Sequence, residues 1–401
     1  MLNIETPFTG KFAFLHTGFR PFFALATLGS ALLMLLWLGS FGLGMPVLPK
    51  DYPPITWHAH EMIFGFGLAV VSGFLLTAVR NWTNLPTLTG YPLLALAVIW
   101  LLARVLPFFA IGGAWPALAE LLFLIVLLVA LTRPVVRVKQ WNQMAIVGKV
   151  ALFIPASLVF HLGVARVWPE GIGVGLYAGF YLILGLVLTL IRRVVPMFIE
   201  NGLNNGFVTR NDPRVDRWSL VLFLALAIAD VWLQSRHDAV LLVLVSVLAG
   251  LLAILHAWRL AGWVHPDVWK KPMIWVLVVA YGWLVLGFLL KALAGAGWAS
   301  HSLAVHALAA GGIGMVTLGM MARVSLGHTG RNVNAPPRVL PVVFALAALA
   351  AACRVVGVWL LPAYYAHWIL LGQALWVLAF SLFALLFLPI WVKARIDGRR
   401  G

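Results

Sequence analysis

The sequence predicts an all-α fold: a polytopic integral membrane protein of about twelve transmembrane helices. Three observations predict it. Of the 401 residues, 63% are hydrophobic and only 10% are charged, against roughly 25% charged in a soluble protein. A soluble fold has too little polar surface to cover so much apolar side chain, whereas lipid can form that rim. Runs such as 121–131, 241–255 and 342–352 have almost no polar side chains, and Pro, Gly and charged residues punctuate them.

The apolar runs place spans at 22–44, 58–79, 91–111, 114–132, 145–166, 171–193, 218–235, 239–258, 272–292, 301–322, 339–361 and 364–392. The first run is long enough to cross a bilayer and reads as helix one, not as a cleavable signal. Only Gly112 and Gly113 separate the third and fourth spans, as in a bent hairpin. With the N-terminus inside, 22 of the 28 Lys and Arg fall in inner segments and 6 in outer ones. That bias predicts both termini in the cytoplasm and an even number of spans. The chain then reads as a single transmembrane domain over 1–401, with cytoplasmic segments at 1–21 and 393–401.

The formal net charge of +16 does not indicate nucleic acid, because the basic residues are scattered through short loops between spans. The single cysteine, Cys353, sits in an apolar run and cannot build a disulfide. Thr77 with Arg80, Thr189 with Arg192, and Thr317 with Arg323 recur four helices apart. This rhythm fits three four-helix arcs. It also fits chance, since Arg at a cytoplasmic helix end is common.

Eleven histidines stand among twelve acids. Ionisable groups inside a membrane are costly and mark a cavity, a partner or a metal. By the predicted orientation, His58, His60, His161, His301, His306 and His367 fall toward the outer side, with His237 in a short outer loop. His16, His256, His265 and His328 fall toward the cytoplasm.

The sharpest segment is Trp57-His58-Ala59-His60-Glu61-Met62 at the start of span two. On a helix, His58 and His60 point about 200° apart and can serve two sites. Glu61 can orient a ligand imidazole through its second nitrogen. A polar interfacial cap beside a belt tryptophan is the plainer reading.

His306 precedes Ala309-Ala310-Gly311-Gly312-Ile313-Gly314, where small residues permit close approach of a helix or a flat macrocycle. His161 joins this outer group as a ligand or as a satisfied core histidine. Metal ligands are expected among His58, His60, His306 and His328.

A second constellation lies toward the cytoplasm: His16 and Arg20, Arg192 and Arg193, Arg323, and the Gly-His-Thr-Gly-Arg run holding His328 and Arg331. Guanidinium groups pair with carboxylates, so haem propionates or lipid headgroups are candidate partners. Positive-inside anchoring explains most of these arginines, but not glycines that let a backbone turn closely around something. Cys-x-x-Cys-His, Walker and dinucleotide fingerprints are absent, so any haem would be held by side-chain ligation alone.

The stretches His16–Phe23, Trp57–Met62 through Asn81-Trp82, Arg192–Phe198, His306–Arg331 and Ile390-Trp391 to Asp397-Gly398 resemble the NnrS family over the whole chain. The resemblance implies a haem- and copper-containing inner-membrane protein tied to nitric oxide metabolism and resistance to nitrosative stress. It implies one or two haem b groups with copper as a further cofactor, and a quinol or another electron donor as partner beside the lipid bilayer. By analogy of layout, haem-copper oxidases also use twelve helices in three arcs, with histidines of helices two and ten around one haem.

Nitric oxide is small and apolar, so it partitions into a bilayer, and an open iron position binds it. Reduction of nitric oxide at a haem/metal site is the leading expectation. Glu61, Tyr177 and Tyr181 are then the candidate proton-handling residues. A non-enzymatic nitric oxide sensor and a twelve-helix transporter are the alternatives, though a transporter calls for polar broken helices at the midplane.

Overall fold

The computed structural model describes residues 13–50, 52–109, 114–236 and 238–399. Lys11, Gly112, Gly113, His237 and Arg400, used in the reading above, lie outside the described residues. The described chain has twelve helices long and apolar enough to cross a membrane. They are α1 Phe19–Gly42, α2 Pro54–Thr83, α3 Gly90–Phe108, α4 Trp115–Arg137, α5 Trp141–Val164 and α6 Gly171–Leu203, then α7 Pro213–Arg236, α8 Ala239–Ala261, α9 Pro272–Gly295, α10 His301–His328, α11 Leu340–Leu360 and α12 Pro362–Val392. The all-helical membrane class and the number of spans agree with the expectation from the sequence.

Local signals set the ends. Asp238 caps α8, its side chain accepting from the amides of Val240 and Leu241, and Ser300 caps α10 through Leu303. Proline occupies the first turn of α2, α4 and α9, where a missing amide hydrogen costs nothing. The largest departure from expectation is α6. It runs ten residues past 193, through Pro196, to Leu203. At about 1.5 Å per residue, 33 residues exceed the bilayer core, and the last turns carry the polar Glu200 and Asn201.

Outward faces are apolar, as lipid contact requires. On α7 the exposed row Leu220, Leu224, Ile228 and Trp232 repeats every four residues. In water such a patch would aggregate.

The chain forms two compact units. Unit 1 holds residues through Ile183 together with Met321–Val333 and Phe380–Gly401; unit 2 holds Leu184–Met320 and Asn334–Ala379. In unit 1 the two ends of the described chain meet: the Ala13 amide donates to the Val392 carbonyl at 2.8 Å. The guanidinium of Arg20, fully buried, donates through Nη1 to the carbonyls of Ile390, Trp391 and Lys393. These are the orphan acceptors at the end of α12, so Arg20 acts as its C-terminal cap.

Candidate metal centre

The centre starts from a defect in α2. The helix is regular over Pro54–His60 and widens into π-helical turns over Glu61–Gly67. Such insertions displace a carbonyl from its usual donor and recur at functional sites. Here the Trp100 indole donates to the Gly65 carbonyl at 3.3 Å. Gly65 has a second role. A Cβ there would lie 2.8 Å from Glu61 Oε2 and 3.4 Å from Arg104 Cδ. Only glycine lets this carboxylate and guanidinium approach the helix so closely.

His60 and Glu61 face a buried polar cluster drawn from four helices of unit 1. His60 Nδ1 lies 3.0 Å from Glu61 Oε1, and its Nε2 lies 3.3 Å from Glu120 Oε1 on α4. Arg104, on α3, pairs with Glu120 through Nη2, and its Nε lies 3.1 Å from Glu61 Oε2 without hydrogen-bond alignment. Ser157, on α5, donates to Glu120 Oε1 at 2.6 Å. One turn on, His161 places Nε2 3.5 Å from the same oxygen. The four-residue spacing puts Ser157 and His161 on one face of α5. That His161 nitrogen makes no hydrogen bond among the described residues.

The charges in this cluster balance. Ionised carboxylates only accept, so an imidazolium at His60 can donate from both nitrogens, to Glu61 and to Glu120. His60 and Arg104 then match Glu61 and Glu120, a neutral set with every side chain at most 5% exposed. Neutrality matters because an unpaired charge buried here would be expensive. Phe160 and Phe64 stack on the His60 ring at 4.4 and 5.1 Å between centroids and keep water away.

His60, Glu120 and His161 each offer a ligand atom, and these atoms lie within 4.8 Å of one another. Two imidazoles and one carboxylate form a donor set used for catalytic zinc and non-haem iron, with positions left open for a substrate. A metal on His60 Nε2 takes the place of the proton there, and Glu61 on Nδ1 then orients the ligand ring.

The other residues singled out in the sequence fall in different surroundings. His58 turns away from His60 and stacks on Trp37, 4.8 Å between centroids and 10° between planes. Tyr181 is buried against Phe180, and Tyr177 is half-buried on the same helix. His306 belongs to unit 2 and its Nδ1 donates to the Ser302 carbonyl at 2.7 Å. It opens the π-helical stretch Ala307–Gly314, as His60 opens that of α2. The glycines of that stretch are closed by packing: Trp283 and Leu284 press on Gly311 and Gly312, and Trp376 on Gly314.

Arg20 is spent on α12. The His16 carbonyl accepts from Arg80 at 3.3 Å, Arg192 pairs with Asp216 at 2.8 Å, and Arg193 is exposed. Arg323 and Arg331 are half-buried in unit 1. The Gly-His-Thr-Gly-Arg turn wraps the chain's own tail. Gly330 has φ +78° with the Asp397 carboxyl packed against it, and Arg395 donates to the His328 carbonyl at 2.9 Å.

Sequence reasoning passed over Glu120, Arg104 and Ser157. Glu120 precedes an apolar run, and Arg104 counted only as a basic residue at an outer end. A charge inside a span was the available signal. It also marks Asp230 and Lys291 in unit 2, a buried pair at 2.6 Å. A further network there links half-buried Asp216 to buried Arg259, Tyr281 and His256, whose Nε2 has no hydrogen-bond partner among the described residues.

Twelve apolar spans, with a buried histidine–carboxylate cluster in unit 1, define a polytopic membrane protein with a candidate metal-ligand set. A family model described as NnrS protein matches residues 13–395, and the chain belongs to that family. No curated protein matches it. Family membership fits a role in nitric oxide metabolism and suggests a link to metal or haem.

Proposed function

We propose that this is a haem-dependent protein of the bacterial inner membrane that acts on nitric oxide and reduces it, and that the unit 1 centre holds a metal ion. One observation carries the reading: His60, Glu120 and His161 converge within 4.8 Å inside the apolar part of a membrane protein. A structural ion pair has no need of a second imidazole whose nitrogen is left without a hydrogen bond. The lysine and arginine bias supports both termini in the cytoplasm.

The donor sets separate by cofactor. Unit 1 fits a bare metal ion, because both His60 nitrogens already face carboxylates. A haem iron fits better on His306, whose Nδ1 is held by a carbonyl so that Nε2 carries the lone pair, or on the orphaned Nε2 of His256. When bound, haem supplies an iron position for nitric oxide and a route for one electron. In the unit 1 centre, Phe64 and Phe160 exclude water, Glu61 holds the His60 ring, and Ser157 fixes the Glu120 oxygen that faces both histidines.

An optical spectrum and metal analysis of the purified protein test this. The expected result is a Soret band together with one metal ion per chain that His161→Ala removes. A well-expressed preparation with neither would overturn the reading. Nitric oxide consumption beyond stoichiometric binding distinguishes reduction from capture.

A further inference from the structure

The two ends of the described chain close around a cluster of guanidinium groups. Arg20 lies in the first turn of α1, Arg80 in the last turn of α2, Arg331 just past the end of α10 and Arg395 just past the end of α12. All of them belong to unit 1. Arg331 and Arg395 both act on Arg20 through their charge, and Arg20, Arg80 and Arg395 all act on the His328 ring. Arg20 is fully buried and the others are half-buried, so water screens them poorly. Arg20 and Arg80 donate to carbonyls, which satisfy a hydrogen bond without cancelling charge. The segments that meet here, 14–23, 77–85, 321–333 and 390–399, hold seven Lys and Arg and one acid, Asp397, which Arg395 already grips. Glu5 and Lys11, earlier in the chain, cancel in charge.

We infer that this cluster binds the phosphate of an anionic phospholipid headgroup. Guanidinium forks pair with phosphate oxygens, and one phosphate can face several forks at once. The ends of the spans set the depth. Charges there sit at the level of the headgroups, where basic pockets between helices hold acidic lipids. Thr17, in the turn that opens α1, adds a neutral donor. Its side chain is 6% exposed, and its Oγ1 has no hydrogen-bond partner among the described residues. The start of α1 also favours an anion through its helix dipole.

On the bilayer side the cluster is closed by aromatic rings. Phe19, Phe23 and Trp391 are at most 1% exposed and pack edge to face, and the Phe19 ring lies 5.8 Å from that of His328. The Trp391 indole is fixed by donating to Ser325 Oγ at 2.7 Å. A ligand can therefore bring in only a small charged head, with its acyl chains left in the bilayer. A flat macrocycle would have to displace this layer, so haem propionates suit the cluster less well. A soluble phosphate ion shares the chemistry but lacks the chains that hold a lipid at this depth. None of these residues belongs to the metal centre, so the inference stands apart from it.

The test adds lipid to the delipidated full-length protein in detergent. It reads the unfolding temperature and, by native mass spectrometry, the lipids held. Dioleoylphosphatidylglycerol is expected to raise the unfolding temperature and to leave one tightly held lipid per chain. Dioleoylphosphatidylcholine, whose choline cation meets the arginines, is expected to do neither. Arg80→Gln and Arg331→Gln should each weaken phosphatidylglycerol binding about five-fold, and either carries the test if the other does not fold. Arg331→Lys keeps the charge and should lose less. Arg137→Gln removes an exposed charge at the end of α4, outside the cluster, and should leave binding within about two-fold of wild type. Equal binding of the two lipids, or equal losses from Arg137→Gln and the cluster variants, overturns the inference. So does wild-type phosphatidylglycerol binding in the cluster variants. A Soret band lost from Arg331→Gln with lipid binding unchanged would give the cluster to haem propionates instead. Inorganic phosphate that alone reproduces the full stabilisation would overturn the lipid source and keep the phosphate site.

Discussion

Glu120 on α4 accepts from His60 Nε2 on α2 at 3.3 Å, across 60 residues of sequence, with both side chains buried. That contact joins the segment flagged most strongly by its sequence to a lone carboxylate in another apolar span. Glu120 is also the hub: Arg104, Ser157 and His161 reach the same carboxylate.

Glu120→Ala is therefore expected to leave His60 and Arg104 with Glu61 as their one carboxylate in the cluster, a buried excess of one positive charge. The cost should be about 3–5 kcal/mol, as for other buried pairs broken from one side. Thermal unfolding in detergent reads it, and Glu120→Gln, which keeps two hydrogen-bonding atoms, should lose less. Equal stability in all three proteins would mean that the cluster is not held by charge.

Gly65→Ala tests the π-helical turn. The new methyl would meet Glu61 Oε2 at 2.8 Å, closer than a carbon and an oxygen tolerate. Either the carboxylate or the helix must shift, at about 1–3 kcal/mol. Unfolding temperature should fall, and metal affinity with it, because Glu61 orients His60. An unaffected protein would show that α2 is free to move here.

Arg20→Met removes the cap of α12. Three carbonyls lose a charged donor, and charge-assisted bonds contribute about 1.5–3 kcal/mol each when not shared. The C-terminal segment after Trp391 should become cleavable by trypsin at Lys393 and Arg395. Proteolysis at wild-type rates would contradict the capping role.

The tail has its own pH dependence. Arg395 grips the Asp397 carboxyl in a two-point pair and holds it down from an ordinary 3.8 to about 2. A carboxyl depressed in the folded state stabilises above its unfolded value and loses that contribution as pH falls through its folded one. Anchoring of the tail should therefore be complete above about pH 4 and fade toward pH 2. Amide exchange of Ile396, whose amide donates to Thr329, reports it, and Asp397→Asn should exchange fast at every pH.

The twelve spans were legible because hydropathy is a property of whole segments, and a single charge does not erase it. His60, Glu61 and His161 were legible as ionisable groups out of place in a membrane. Glu120 and Arg104 obey the same rule, but each stands alone in its span, and only the packing of α2, α3, α4 and α5 shows that they are partners. The widened turns at Glu61–Gly67 and Ala307–Gly314 leave no mark on hydropathy, since one inserted residue does not change the run's composition. The Gly-His-Thr-Gly-Arg turn was readable as a tight wrap, but its contents were not: a tail carboxyl from Asp397, 67 residues further along than Gly330, fills it.

The central claim is that His60, Glu120 and His161 hold a metal ion. X-ray absorption at the edge of the bound metal, on wild type and His161→Ala, tests it most directly. The account predicts two imidazole nitrogens in the first coordination sphere of the wild-type metal and loss of the ion, or of one imidazole, in the variant. The same spectrum and metal content in both proteins would contradict it.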